Sequence, residues 1–155
     1  MGTLSFKSVG RTAQSIEQES VEFKQNPIGI KTPLQLNSID GFFEMHYSLD
    51  DQLADNLKNL LLTNFGERVG LYDYGANLKP LTVNFSSQDD FDAEALTRIS
   101  RAISRWMPFI EPVDYVSEID RSENLNTAVI KITIGYNIES LSVEQRKIQI
   151  VLYVI

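Results

Sequence analysis

Three carboxylates and four arginines are the side chains best placed to do chemistry: Glu67, Asp73 and Glu111, with Arg68, Arg98, Arg101 and Arg105. A carboxylate pair catalyses acid–base chemistry only when one member keeps its proton near neutral pH and the other stays charged. With 21 acidic against 14 basic residues, carboxylates are plentiful, and nothing in the spacing of Glu67, Asp73 and Glu111 singles out an acid and a nucleophile. The chain has no cysteine, which removes thiolate catalysis, disulfides and thiolate metal sites. Its single histidine, His46, precedes a helical pattern with no nucleophile pattern nearby, and it is read as a packed loop residue; one imidazole does not make a histidine zinc site. No catalytic, cofactor-binding or metal-binding residue is therefore assigned. What remains is recognition: arginine directs several hydrogen bonds at a carboxylate or at helix-end carbonyls.

The 155 residues are 43% hydrophobic, enough for one domain with a core and an attached arm. A formal charge of −7 argues against nucleic acid or an anionic membrane as partner, since either needs a concentrated basic surface. No apolar run is long enough to span a bilayer, and the opening MGTLSFKSVG lacks the layout of a secretory signal. A soluble chain with protein partners is the expectation.

The elements that must position these residues follow from periodicity. Residues 1–47 show no sustained period and are punctuated by Pro27, Gly29, Pro33 and Gly41, which predicts an extended N-terminal arm. Phe6, Phe23, Ile28, Ile30, Leu34, Leu36, Ile39, Phe42 and Phe43 give that arm enough apolar surface to pack on something. Residues 48–155 form the domain proper. Ser48 and Asp51 fit a capping box, and Leu53, Leu57, Leu60 and Leu61 share one face of a helix that should close near Asn64 to Gly66. The loop TNFGERVGLYDYGANL, Thr63 to Leu78, follows. A second helix is signalled by Leu96, Ile99, Ile103 and Trp106 on one face, with Asp89, Asp90 and Asp92 near its start and Pro108 after its end. Arg98, Arg101 and Arg105 fall on the opposite face as a basic stripe.

Beyond Pro112 the period becomes two. Val113, Tyr115, Ser117 and Ile119 alternate with Asp114, Val116, Glu118 and Asp120, and the polar cluster Arg121 to Asn126 turns the chain. Ala128, Ile130, Ile132, Ile134, Tyr136 and Ile138 line one face of the clearest strand. After a turn around Ser140 to Ser142, Ile148, Ile150, Leu152 and Val154 alternate in a last strand that reaches Ile155. The predicted fold is α+β: two helices packed on a small antiparallel meander, with the arm attached.

LLLTNFGER, then YDYG and NL, a helix, FIEP and a strand meander together resemble the baseplate wedge and sheath-initiator family of contractile phage tails, which includes a type VI secretion baseplate subunit. The resemblance covers residues 48–155 and rests most on Thr63, Gly66, Glu67, Arg68, Tyr74, Gly75, Leu78, Glu111 and Pro112; NPIGIKTPLQL with Gly41 and Phe42 resembles the arm of T-even-like members. The family triplet Glu-Pro-Arg here reads Glu111-Pro112-Val113, which leaves the role of its arginine to Arg98, Arg105 or a residue of the partner.

The resemblance implies a virion component of the tail baseplate, made in the host bacterial cytoplasm, that docks on the helical bundle of the other wedge proteins. Gly66, Glu67, Arg68, Tyr74, Glu111, Pro112, Arg98, Arg101 and Arg105 are the candidate docking residues. It also implies that the sheet pairs with strands of tail sheath subunits, with Gln149, Val151 and Tyr153 of the last strand as contacts, and leaves tube or hub proteins as partners of the arm. Because members are sometimes described as lysozyme-like, a glycoside hydrolase is the alternative; it needs two carboxylates about 5–10 Å apart, one with a raised pKa. Against the docking reading stands a structural one, in which the loop only holds the helices in register and Glu111-Pro112 only forms a helix-to-strand corner.

Overall fold

The computed structural model describes residues 26–37, 42–84, 87–121, 128–138 and 143–154. Expectations for Phe6, Phe23, Ile39 and Gly41 of the arm, for the turns over 122–126 and 140–142, and for Ile155 lie outside these residues. The chain divides into two units, Met1–Gln52 and Leu53–Ile155.

In the first unit, prolines and glycines do not leave the arm merely extended. Strand β1, Gly29–Ile30, pairs antiparallel with β2, Met45–His46, and an isolated bridge joins Leu36 to Phe43. Between them the Lys31 N–H donates to the Glu44 carbonyl (3.0 Å) and the Glu44 N–H to the Gln35 carbonyl (2.9 Å). Pro27 and Pro33 fall outside the paired positions, where a missing N–H interrupts no ladder. His46, expected as a packed or hydrogen-bonded loop residue, is buried but belongs to β2 because its backbone pairs with Gly29.

Helix α1 spans Leu49–Leu62. Leu57, Leu60 and Leu61 of its predicted face are fully buried and Leu53 packs against the core. A short helix α2, Leu81–Asn84, follows the loop and was not foreseen; its first residue, Leu81, joins the core beside Ala76 and Leu78.

Helix α3 spans Gln88–Trp106. The Ser87 hydroxyl caps it by accepting the Asp90 N–H (3.2 Å), while Asp89 and Asp90 place negative charge on the positive end of the helix dipole. The Met107 N–H donates to the Ile103 carbonyl, after which Pro108 can offer no donor to continue the helix. The buried face is Phe91, Ala95, Ile99, Ala102 and Ile103. Leu96 therefore departs from expectation: it is 41% exposed, while Ala95, one position back, takes a place on the buried face.

Strands β3 (Ile110–Arg121), β4 (Ala128–Ile138) and β5 (Val143–Val154) form an antiparallel sheet in that order. Ile130, Ile132, Ile134, Tyr136 and Ile138 of β4, with Ile150 and Leu152 of β5, turn into the core that the helices cover. Val113 does not join them. The register runs Pro112 to Tyr136 and then Asp114 to Gly135, so a β-bulge inserts one residue and reverses the side-chain parity of the strand. Ile110 points inward before the bulge, Tyr115 and Ile119 pack inward after it, and Val113 is left 54% exposed.

Candidate docking surfaces

The loop from Thr63 to Leu78 is fastened at its root. The Asn64 side-chain oxygen accepts the Lys79 N–H (3.1 Å), the Ala76 N–H donates to Leu60 and the Asn77 N–H to Thr63. Glu67 closes the first turn: its carboxylate accepts the Asn64 backbone N–H (2.7 Å) and the Asn64 side-chain amide (2.9 Å). Those two donors hold its carboxyl below the ordinary 4.5. Gly66, at φ 85°, donates its N–H to the Tyr72 carbonyl (2.8 Å). Thus Gly66 and Glu67, both expected to meet a partner, are engaged in folding the loop itself.

Arg68 is engaged too, but in the open. Its guanidinium lies 4.1 Å from the centre of the Tyr74 ring, which meets Trp106 of α3 edge-on at 5.2 Å. Arg105 continues the series, 5.1 Å from the Trp106 ring centre and paired with Asp73. An arginine–aromatic row therefore crosses from loop to helix, flanked by exposed Phe65, Val69 and Tyr72.

Next to this row lies a groove of about 350 Å³, lined among others by Phe65, Ala102, Trp106 and all three stripe arginines. The stripe is less basic than its sequence suggests. Arg98 binds Glu94 (2.8 Å) and donates to the Asn77 carbonyl (2.7 Å), and Arg105 binds Asp73. Among the described residues, Arg101 alone of the three makes no ion pair or hydrogen bond, and it is exposed.

Glu111 and Pro112 are exposed at the start of β3. The helix-to-strand corner falls earlier, at Met107 to Phe109, where the Ile110 N–H donates to the Met107 carbonyl, so these two residues belong to the strand. Proline is tolerated because β3 is an edge. Arg98 and Arg105, weighed as substitutes for an arginine at Val113, are both engaged elsewhere. Gln149, Val151 and Tyr153 form a separate group on the outer face of β5, opposite Thr133, Lys131 and Val129. Asp73, Asn77 and Trp106, not among the candidate docking residues, join this arginine–aromatic cluster. Trp106, the aromatic at the end of the predicted helical face, was a signal of it in the sequence.

Two of the three carboxylates weighed for catalysis, Glu67 and Asp73, have structural partners, and Glu111 is exposed on β3. Glu67 carries a lowered pKa, the reverse of what a general acid needs, and Asp73 faces an arginine.

The family described as “Baseplate wedge protein gp25” matches residues 47–142. The anti-feeding prophage (AFP) baseplate, a six-fold symmetrised cryo-EM structure, contains a chain 17% identical over 81% of this chain and 83% of its own, with a TM-score of 0.53. A crystal structure from Geobacter sulfurreducens, provisionally titled a tail lysozyme, is 20% identical over 68% of this chain and 91% of its own, with a TM-score of 0.55. At those identities the two structures speak for the fold. A search of curated proteins gave no match. The family match spans more than half of the chain, from the start of α1 through β4, and includes the loop, the arginine–aromatic row and the bulged strand: the chain belongs to the baseplate wedge protein gp25 family and is a structural part of a phage tail baseplate, assembled with other baseplate proteins.

Proposed function

We propose that the chain docks on the helical bundle of the baseplate wedge through the Arg68–Tyr74–Trp106–Arg105 row and the adjoining groove, and that its sheet starts sheath assembly by pairing with strands of sheath subunits. One observation carries the second half: the sheet has only three strands, and both outer ones lack a neighbour among the described residues. Unpaired backbone donors and acceptors along a long strand are a template for another chain. For docking, Arg68 is held over Tyr74 while exposed, so little side-chain freedom remains to be lost on binding a carboxylate or a helix-end carbonyl. Gly66 and Glu67 serve this surface by shaping the loop, and Glu111 and Pro112 lie exposed on the strand that leaves α3. The arm over residues 1–47 is assigned to the tube, the hub or the wedge.

This is an assembly part rather than a glycosidase, since Glu67 and Asp73 are engaged in loop closure and ion pairing. Cryo-electron microscopy of assembled tails tests the reading. The chain should stand between the wedge bundle and the first sheath ring, with a sheath strand on its sheet; a chain remote from the sheath, or touching it only through helices, would refute initiation by strand pairing.

A further inference from the structure

The two outer strands differ in chemistry. On β3, Glu111, Asp114, Glu118 and Asp120 are all exposed, Pro112 has no N–H to donate, and the bulge between Pro112 and Asp114 bends the edge. Such features defend an edge against unwanted pairing. The inner side of β3 is also closed by α3: the Tyr115 hydroxyl donates to Asp92 (3.1 Å) and the Gln88 amide reaches the Ser117 hydroxyl (3.3 Å).

On β5 the register with β4 is unbroken from Arg146 to Val154. Its charged residues over that length are Arg146 and Lys147, the latter paired across β4 with Asp114 of β3 (3.9 Å), and Ile148 to Val154 carry no charge. At its far end, Val151, Leu152 and Tyr153 border a groove of about 240 Å³ whose other walls include Leu61 and Leu62 of α1, Leu78, and Thr82 of α2. Leu62 is 39% exposed there, and Lys79 adds a positive charge. A strand added outside β5 would lie about 4.8 Å away. Its inward side chain opposite Leu152 would then enter the gap left by the helices, where apolar surface awaits cover.

We infer that β5, and not β3, is the edge that accepts a strand from another chain, and that this strand is neutral or acidic and seats an apolar side chain in the groove beside Leu152. The inference rests on the strand-pairing reading of the sheet and adds its edge, its charge preference and its anchor. The occupant is an extended segment of a different protein. The β3 strand of a second copy has the right charge, but its inward Tyr115 and Ser117 are hydrogen-bonded under its own α3 and are not free to fill the groove.

Amide exchange on the unmodified chain, in sheathed particles and in baseplates without sheath, decides the edge. Exchange over residues 143–154 should slow at least about tenfold with sheath present, while residues 110–121 exchange alike in both. Protection confined to 110–121 would overturn the edge assignment and leave strand pairing standing; protection of neither strand would overturn strand pairing itself. Leu62→Trp and Lys79→Trp test the anchor by filling the groove from exposed positions. Each should leave circular dichroism unchanged and lower the yield of sheathed particles at least about tenfold. Normal sheath yield from both folded variants would overturn the anchor. Concentration-dependent self-association of the purified chain, with protection over 143–154, would instead assign the edge to a second copy.

Discussion

Gly75→Ala should destabilise the protein far more than Gly70→Ala, although both glycines have positive φ, +116° and +80°. At Gly70 an added Cβ meets nothing within 4 Å, so the variant bears only the left-handed backbone, about 1–2 kcal/mol, less the gain from a stiffer unfolded chain of about 0.4–1 kcal/mol. At Gly75 the backbone lies in a rarer region, costing about 1–3 kcal/mol. The Cβ would also overlap the Thr63 carbonyl oxygen and stand 2.7 Å from its carbon. That carbonyl accepts the Asn77 N–H, next to the bond from Ala76 to Leu60, so relief means disturbing the root of the loop. Loss of one such bond adds about 1–3 kcal/mol. Less that same unfolded-chain gain, the total is about 1–5 kcal/mol, with a midpoint of about 3 kcal/mol, for Gly75→Ala against about 1 kcal/mol for Gly70→Ala. For a chain of this size the midpoint corresponds to a fall in Tm of roughly 6–12 °C against roughly 2–4 °C. Thermal unfolding followed by circular dichroism, with urea titration for the free energies, measures both. Variants within about 1 kcal/mol of each other would refute the claim that Gly75 is required by close approach as well as by φ.

Arg68→Glu should abolish incorporation into wedges while shifting stability by no more than about 1 kcal/mol, the scale of an exposed cation–π contact; parallel loss of melting temperature and assembly would show that Arg68 is structural. Because Glu67 titrates below 4.5 in the folded state, its contribution to loop stability is fully present above that pH and lost as pH falls through the lowered value. Protection factors of residues 64–72, taken against intrinsic exchange at each pH, should fall over that acid window, and Glu67→Gln should remove the dependence. Leu60→Ala, at a fully buried site, should cost about 2–5 kcal/mol in urea titration, and a much smaller loss would mean the α1 face is not core. Purified protein should show no peptidoglycan cleavage; reproducible cleavage abolished by Glu67→Gln or Glu111→Gln would falsify the assembly-only reading.

Periodicity determined the main elements of residues 48–155. The leucines of α1 and the alternating isoleucines of β4 could be buried only as a helix face and a strand face, so the two main helices, the meander and the covered side of the sheet were legible. The motif around the loop likewise carries the family resemblance in the sequence itself. Only the tertiary structure decided which charged residues remain available. Arg98 and Arg105 look alike in sequence to Arg101, yet Glu94, Asn77 and Asp73 engage them, and those partners arrive from across the loop or from one helical turn away. Alternation puts Val113 on one side with Tyr115 and Ile119, but the bulge between Pro112 and Asp114 separates them, because strand pairing, and not local alternation, sets which side a residue takes. The difference between the β3 and β5 edges also depends on strand order and on the gap beside α2: backbone groups become an edge only once the chain has chosen its neighbours, a choice made by contacts distant in sequence.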